Sequence, residues 1–337
     1  MTETPTPSRR LHLFAGFTAL STLFLIAAGG LVTSTGSGLA VPDWPLSYGM
    51  LMPPMVGGVF YEHGHRMIAT TVGFLTVILA IWTWRVEPRA WVRRLAGVAL
   101  AAVIVQGLLG GLTVIYLLPT PVSVSHACLA QTFFCMVVAL WLVTSVRWGD
   151  TSHTLEDEGE RVSTRWLAVF AIAAVYLQLV LGAIVRHTES ALVIPDFPLS
   201  FGHVFPPLSE LKTNPNAPYP VEVETLRTQV MIQFAHRVWA VVVCAALGWL
   251  IARIIRLHNG IAELVRPAML LGALVLIQVL LGASIIWSER AVWIATGHVV
   301  VGAAILTTTL VVVLRSWRLS SARVPVFSGL RAEESVA

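Results

Sequence analysis

Eight apolar runs constrain this chain more than anything else in it. They lie at roughly 11–33, 67–84, 96–118, 124–146, 166–186, 229–252, 267–287 and 292–314. Crossing ~30 Å of hydrocarbon takes ~20 mostly apolar residues in a helix. Lipid offers no partner to a backbone N–H or C=O, so each run must satisfy its own backbone as a helix. Composition agrees: 56% of the 337 residues are hydrophobic and 12% are charged, about half the charge of a typical soluble domain. The expected fold is an all-α integral membrane protein of eight transmembrane helices, with the lipid bilayer as its first partner.

The loops orient these spans. Arg9, Arg10, Arg85, Arg89, Arg93, Arg94, Arg147, Arg161, Arg165, Arg253, Arg256, Arg266, Arg315, Arg318, Arg323 and Arg331 fall on the side of the N-terminus. Arg66, Arg186, Lys212, Arg227, Arg237 and Arg290 fall on the other. By the positive-inside rule both termini are cytoplasmic. The net charge of +4 follows from this bias and implies no nucleic acid. The first run exceeds a signal-peptide core and shows no convincing cleavage site, so it reads as a retained span. No long Arg/Ser-rich presequence precedes it, which favours a bacterial-type plasma membrane. Cys128, Cys135 and Cys244 lie within spans and form neither a CxxC pair nor a CxxCH haem attachment motif; they read as packing residues.

The chain also contains its own duplicate. "GGLVTSTGSGLAVPDWPLSYG" (29–49) matches "GAIVRHTESALVIPDFPLSFG" (182–202), and "PPM" (53–55) matches "PPL" (206–208). Further on, "EHGHR" (62–66) answers "QFAHR" (233–237), "QGLLGG" (106–111) answers "QVLLGA" (278–283), and "SHACLA" (125–130) answers "GHVVVG" (297–302). Four helices have become eight, as two tandem parallel-repeat four-helix bundles. The expected division is 11–147 for the N-terminal half, 148–165 for a cytoplasmic linker, 166–316 for the C-terminal half and 317–337 for a cytoplasmic tail. Glu156, Asp157, Glu158 and Glu160 make the linker a solvated one. Asp43 and Asp196, in the outer loops, read as turn residues, or as part of a cap over something held at the outer leaflet.

Duplication singles out four of the ten histidines: His65 matches His236, and His126 matches His298. Each sits near the outer end of an even-numbered helix, so each half presents two imidazoles at one depth. Two facing imidazoles suit the axial positions of a haem iron, and bundles build such sites between helices. A lone zinc ion would want three or four close ligands. Two haem sites are therefore expected. Arg66 and Arg237 follow the histidines directly, and either pair with haem propionates or snorkel to lipid headgroups. Gln106 and Gln278 recur beside Gly110, Gly111 and Gly282, with Gly182 in a similar setting. The amides are expected in interhelical hydrogen bonds, and the glycines let either helices or a ring approach the backbone, helix packing being the first expectation. His63, two positions from His65, projects to another side of its helix and has no assigned role.

The halves differ at one telling place. Glu62 lies one turn before His65, on the same face, whereas its counterpart is Gln233. An acid at a membrane edge beside a candidate iron ligand is a candidate functional group. A reactive site in one half and an electron relay in the other would diverge in this way.

Taken together, the "GGLVTSTGSGLAVPDWPLSYG" segment, the E-x-x-H-R pattern at 62–66 and the four spaced histidines resemble the haem A synthase family, bacterial and mitochondrial, over about residues 11–316. The resemblance implies oxidation of the C8 methyl of haem O to a formyl group with O2, by two successive oxygenations and loss of water from a gem-diol. It implies that His65 and His126 flank the substrate haem O, with Glu62 as the reactive-site carboxylate handling protons or stabilising a cationic intermediate. His236 and His298 would ligate a haem b that passes electrons to the first site. One substrate-site histidine would have to give way to O2; the sequence leaves open which. An electron donor and a haem O synthase that hands over substrate are implied partners, and a homo-oligomer is left open. Some family members carry a cysteine pair in each outer loop. Here Ala40, Val41 and Ser47, like Val193, Ile194 and Ser200, offer no thiol, and the loops are expected to be ordered by packing alone. Two other readings stay open. A bis-His dihaem electron-transfer cytochrome would explain the histidines without needing the Glu62/Gln233 difference. A haem carrier is allowed by the parallel repeat, but few intramembrane charges offer it an ion-coupling path.

Overall fold

The structure, a computed structural model, describes residues 8–149, 155, 162–212 and 222–320. Eight helices account for most of them: α1 (Arg9–Ser34), α2 (Gly58–Val86), α3 (Ala90–Ile115), α4 (Thr120–Val143), α5 (Thr164–His187), α6 (Val223–Leu257), α7 (Ala262–Trp287) and α8 (Val292–Ser320). All eight are long and apolar enough to cross a membrane. Helix ends follow local chemistry. The Ser8 hydroxyl accepts the Leu11 N–H at the start of α1, and a proline in the first turn of α4 needs no N–H partner there. Buried threonines would be a liability in lipid, but Thr22, Thr76, Thr83 and Thr309 each donate to the carbonyl four residues back.

Two helices begin earlier than their apolar runs. α2 starts at Gly58, not near 67, and α6 at Val223, not near 229. Their first turns are polar because they rise into the outer loops, so apolarity alone misses them. Residues 61–67, "YEHGHRM", are therefore part of α2. At the other end α8 runs to Ser320, into the segment read as tail. The acidic residues of the linker lie outside the described residues.

Helices α1 to α4 pack in a ring, each against the next and α4 against α1; α5 to α8 do the same. Leu11, Val72, Leu79, Val92, Val137 and Leu140 are central to the first core, and Leu167, Leu247, Leu250, Leu264, Leu271 and Leu306 to the second. Phe17, Leu20 and Phe24 of α1, Ile104 and Leu108 of α3, and Leu276 and Leu280 of α7 point outward, as lipid-facing residues should. The two rings meet where α1 lies on α8 and α4 on α5 and α8. Few polar contacts cross this seam. Arg186 donates to the Thr33 carbonyl, Thr120 to the His187 carbonyl at 3.2 Å, and Thr132 and Tyr176 share a hydroxyl bond at 3.0 Å.

Candidate functional site

The four histidines emphasised by the duplication lie within α2, α4, α6 and α8. His65 and His126 are near enough for their charges to interact, as are His236 and His298. Each residue keeps some accessible surface, while the Nδ1 atoms of His65, His126 and His298 are sealed from solvent with no side-chain partner among the described residues.

Each ring rests on a glycine of the preceding helix. A methyl group built on Gly29 (α1) would stand 3.1 Å from His65 Cε1. On Gly110 (α3) it would stand 3.2 Å from His126, on Gly182 (α5) 3.1 Å from His236, and on Gly282 (α7) 3.3 Å from His298, always at Cε1. Such contacts are tighter than a side chain readily accepts, so glycine here makes room for imidazole. Of the two roles expected for Gly110, Gly182 and Gly282, close approach of a ring is the one seen, and Gly29 joins them. Three of the rings also meet an amide. Gln106 Nε2 donates to the His126 carbonyl at 3.0 Å and lies 3.3 Å from its Nε2. Gln178 Nε2 donates to the His236 carbonyl at 3.1 Å and lies 3.2 Å from both ring nitrogens. Gln278 Nε2 is 3.4 Å from His298 Nε2. Gln178 escaped the sequence reading, although glutamine four residues before glycine occurs on α3, α5 and α7 alike.

Above the first pair lies a polar clasp. Glu62 is 4% exposed; its Oε2 accepts the Val41 N–H at 2.8 Å and its Oε1 meets Arg66 Nη2 at 2.6 Å. Arg66 also donates to the carbonyls of Asp43 (2.8 Å), Leu46 (2.9 Å) and Val41 (3.3 Å). Asp43 accepts from the backbone of Tyr48 and Gly49. The second half repeats this with one change. Gln233 accepts the Ile194 N–H at 2.8 Å but donates to the Ala191 carbonyl at 2.7 Å. Arg237 again binds the carbonyls of Asp196, Leu199 and Ile194. The loops are thus held by hydrogen bonds as well as packing, contrary to the expectation of packing alone. Both arginines point into loop carbonyls, an arrangement that sequence cannot signal because any residue supplies a carbonyl.

Electrostatics match this geometry. Hydrogen bonds from Gly49 and Tyr48 hold the Asp43 carboxyl below its ordinary value. For Asp196 burial pushes the other way, and the N–H groups of Gly202 and Phe201 outweigh it, so it too lies low. His63, unplaced by sequence, is 6% exposed and binds Ser47 Oγ through Nδ1 at 2.8 Å. It borders a cleft of about 380 Å³ between the first outer loop and α2, together with Arg66, Met50 and Met67. Its counterpart in the second half is Phe234.

The donor set bears on what these sites hold. Among the described residues, no three His, Cys, Asp or Glu side chains gather as a bare metal ion would require. Two imidazoles per half, on glycine cradles among apolar helices, suit an iron whose remaining positions a porphyrin fills. The residues present fit a haem.

Comparison with known proteins agrees. Residues 56–310 match the model of the COX15-CtaA family, described as cytochrome oxidase assembly protein. The heme A synthase of Halalkalibacterium halodurans is 28% identical over 91% of this chain and 97% of its own length. That of Novosphingobium aromaticivorans is 28% identical over 92% and 97%. That of Alkalihalophilus pseudofirmus is 31% identical over 59% of this chain and 67% of its own. With well over half its length matched, from the first outer loop to the last helix, the chain belongs to the COX15-CtaA family of cytochrome oxidase assembly proteins.

Proposed function

We propose that the chain is a haem A synthase, a multi-pass membrane oxidoreductase that converts the C8 methyl of haem O to a formyl group. The observation that carries the reading is the two histidine pairs on glycine cradles, in a chain similar to heme A synthases over nearly its full length. In this reading His65 and His126 hold haem O, and His236 and His298 hold a resident haem b. Bound iron supplies O2 activation and electron relay. The protein's own part is to orient, to exclude water and to handle protons. Apolar helices surround both histidine pairs and limit water around them. Glu62 takes up and returns protons one turn from His65, its charge steadied by Arg66 and the Val41 N–H. Arg66 and Arg237 would hold the propionates, sharing their guanidinium N–H groups with the loop carbonyls. Both termini are cytoplasmic in a plasma membrane; an electron donor and a haem O synthase are the partners.

A dihaem electron-transfer cytochrome is the second reading. It is favoured by one observation: Glu62 and Gln233 anchor their loops alike, so the difference between them does not by itself demand chemistry. One experiment separates the two. The chain is co-expressed with a source of haem O, as wild type and as Glu62→Gln, and extracted pigments are identified by mass. Gln233 shows that glutamine can make the loop anchor, so the variant should fold. Haem A is expected in the wild type, and haem O or a hydroxylated intermediate in the variant. Haem b alone in both would overturn the synthase reading, and near-normal haem A in the variant would remove Glu62 from the chemistry.

A further inference from the structure

The four histidines are not held alike. On α3, α5 and α7 a glutamine stands one turn before the cradle glycine: Gln106 before Gly110, Gln178 before Gly182, Gln278 before Gly282. Four residues apart on a helix is the same face, so amide and glycine meet the same ring. α1 has the glycine, Gly29, but at the matching place it carries Leu25. The backbone of Leu25 adjoins the His65 ring. Among the described residues no side chain hydrogen-bonds that ring, and its buried Nδ1 faces only the Leu25 backbone.

Unpartnered atoms lie on both sides of these contacts. The Oε1 atoms of Gln106, Gln178 and Gln278 are buried without a donor, and the Nδ1 atoms of His126 and His298 are buried without a side-chain acceptor. An imidazole that binds iron through Nε2 carries its proton on Nδ1, and an acceptor there fixes both tautomer and ring angle. The Gln178 amide already lies 3.2 Å from His236 Nδ1; those of Gln106 and Gln278 lie at Nε2, at 3.3 and 3.4 Å, and would have to swing to Nδ1 once iron takes Nε2. Leu25 meets the His65 ring through its backbone carbonyl, as Gln106 and Gln278 meet theirs, but adds no side-chain amide.

We propose that Gln106, Gln178 and Gln278 are positioning residues that lock three histidines as axial ligands, and that His65, lacking its glutamine, is the ligand that gives way. The inference rests on the haem reading above. It answers which side of the substrate iron opens: the α2 side, beneath Glu62. It also explains why the C-terminal pair, with an amide on each histidine, is suited to electron relay alone.

Carbon monoxide tests this without turnover, since it binds ferrous haem only where an axial ligand leaves. The full-length chain is purified in detergent, loaded with haemin, and its haem content is measured as the pyridine haemochrome. It is then reduced and titrated with carbon monoxide while the Soret band is followed. In the wild type only the N-terminal haem should react. Leu25→Gln should weaken that reaction about fivefold to tenfold, the equilibrium effect of one buried hydrogen bond. Gln178→Leu should make the C-terminal haem reactive. So should Gln178→Met, which keeps the length and removes the amide. If haem is bound but neither exchange moves the carbon monoxide response, or if leucine acts and methionine does not, the proposal is overturned while the haem reading stands. If the wild type binds no haem with histidine ligation, both fall together.

Discussion

At the scale of single residues, the two outer loops show how one change compels another. Trp44 lies against α3 at Gly111, where a methyl group would stand 2.6 Å from the indole Cδ2. In the second half the corresponding pair is Phe197 and Ala283, and the smaller ring instead meets Trp287 edge-on at 6.2 Å between centroids. Tryptophan requires the glycine; phenylalanine tolerates alanine. Gly111→Ala should therefore destabilise the N-terminal half by ~1–3 kcal/mol, the usual cost of overpacking. Trp44→Phe in the same chain, which recreates the second half's pair, should restore most of the loss. Thermal unfolding of the purified single and double variants measures this. Equal melting temperatures for all three proteins would show that the loop does not press on α3.

At the scale of elements, the outer loops behave as polar clasps. The Asp43 carboxylate is bound by two backbone N–H groups, and its value in the folded chain lies below the ordinary one of 3.8. A depressed carboxylate stabilises the folded loop fully above its unfolded value and loses that contribution as pH falls through its folded value. Amide exchange across 40–50 should thus be slow at neutral pH and quicken, after correction for intrinsic rates, only below about 3.8. Asp43→Asn should show faster exchange at neutral pH; unchanged protection would assign the loop's order to packing. Much at this scale was legible beforehand. The eight spans and the histidine quartet are carried by apolar length and by identities at fixed offsets, and the structure places all four histidines in facing helices. Other features left weaker marks. The first turns of α2 and α6 are polar, so their helicity is hidden. Gln178 is inconspicuous in the duplication because its counterpart is Leu25, a mismatch between the halves. The targets of Arg66 and Arg237 are carbonyls, which have no sequence signature.

At the scale of the whole molecule, the charge bias argues for one orientation. The even number of spans puts α1's start and α8's end on one face, together with the α2–α3, α4–α5 and α6–α7 connections. That face carries most of the arginines, although some of them have structural partners: Arg89 pairs with Glu87 at 2.6 Å and Arg315 donates to the Arg147 carbonyl at 2.8 Å. Arg85, Arg93 and Arg94, with Arg9 and Arg10, remain as topological determinants, enough to favour retention on the cytoplasmic side. In the proposed orientation the histidine pairs and both clasps lie toward the outer leaflet. Single cysteines test this in a background with Cys128, Cys135 and Cys244 replaced. Leu51, 84% exposed in the first outer loop, and Val146, 68% exposed after α4, are accessible positions on opposite faces. A membrane-impermeant maleimide added to intact cells should label Leu51→Cys and spare Val146→Cys, and inverted vesicles should give the reverse. Labelling of Val146→Cys alone in intact cells would invert the molecule, moving Glu62 and all four histidines to the cytoplasmic side and with them the direction from which substrate and electrons arrive.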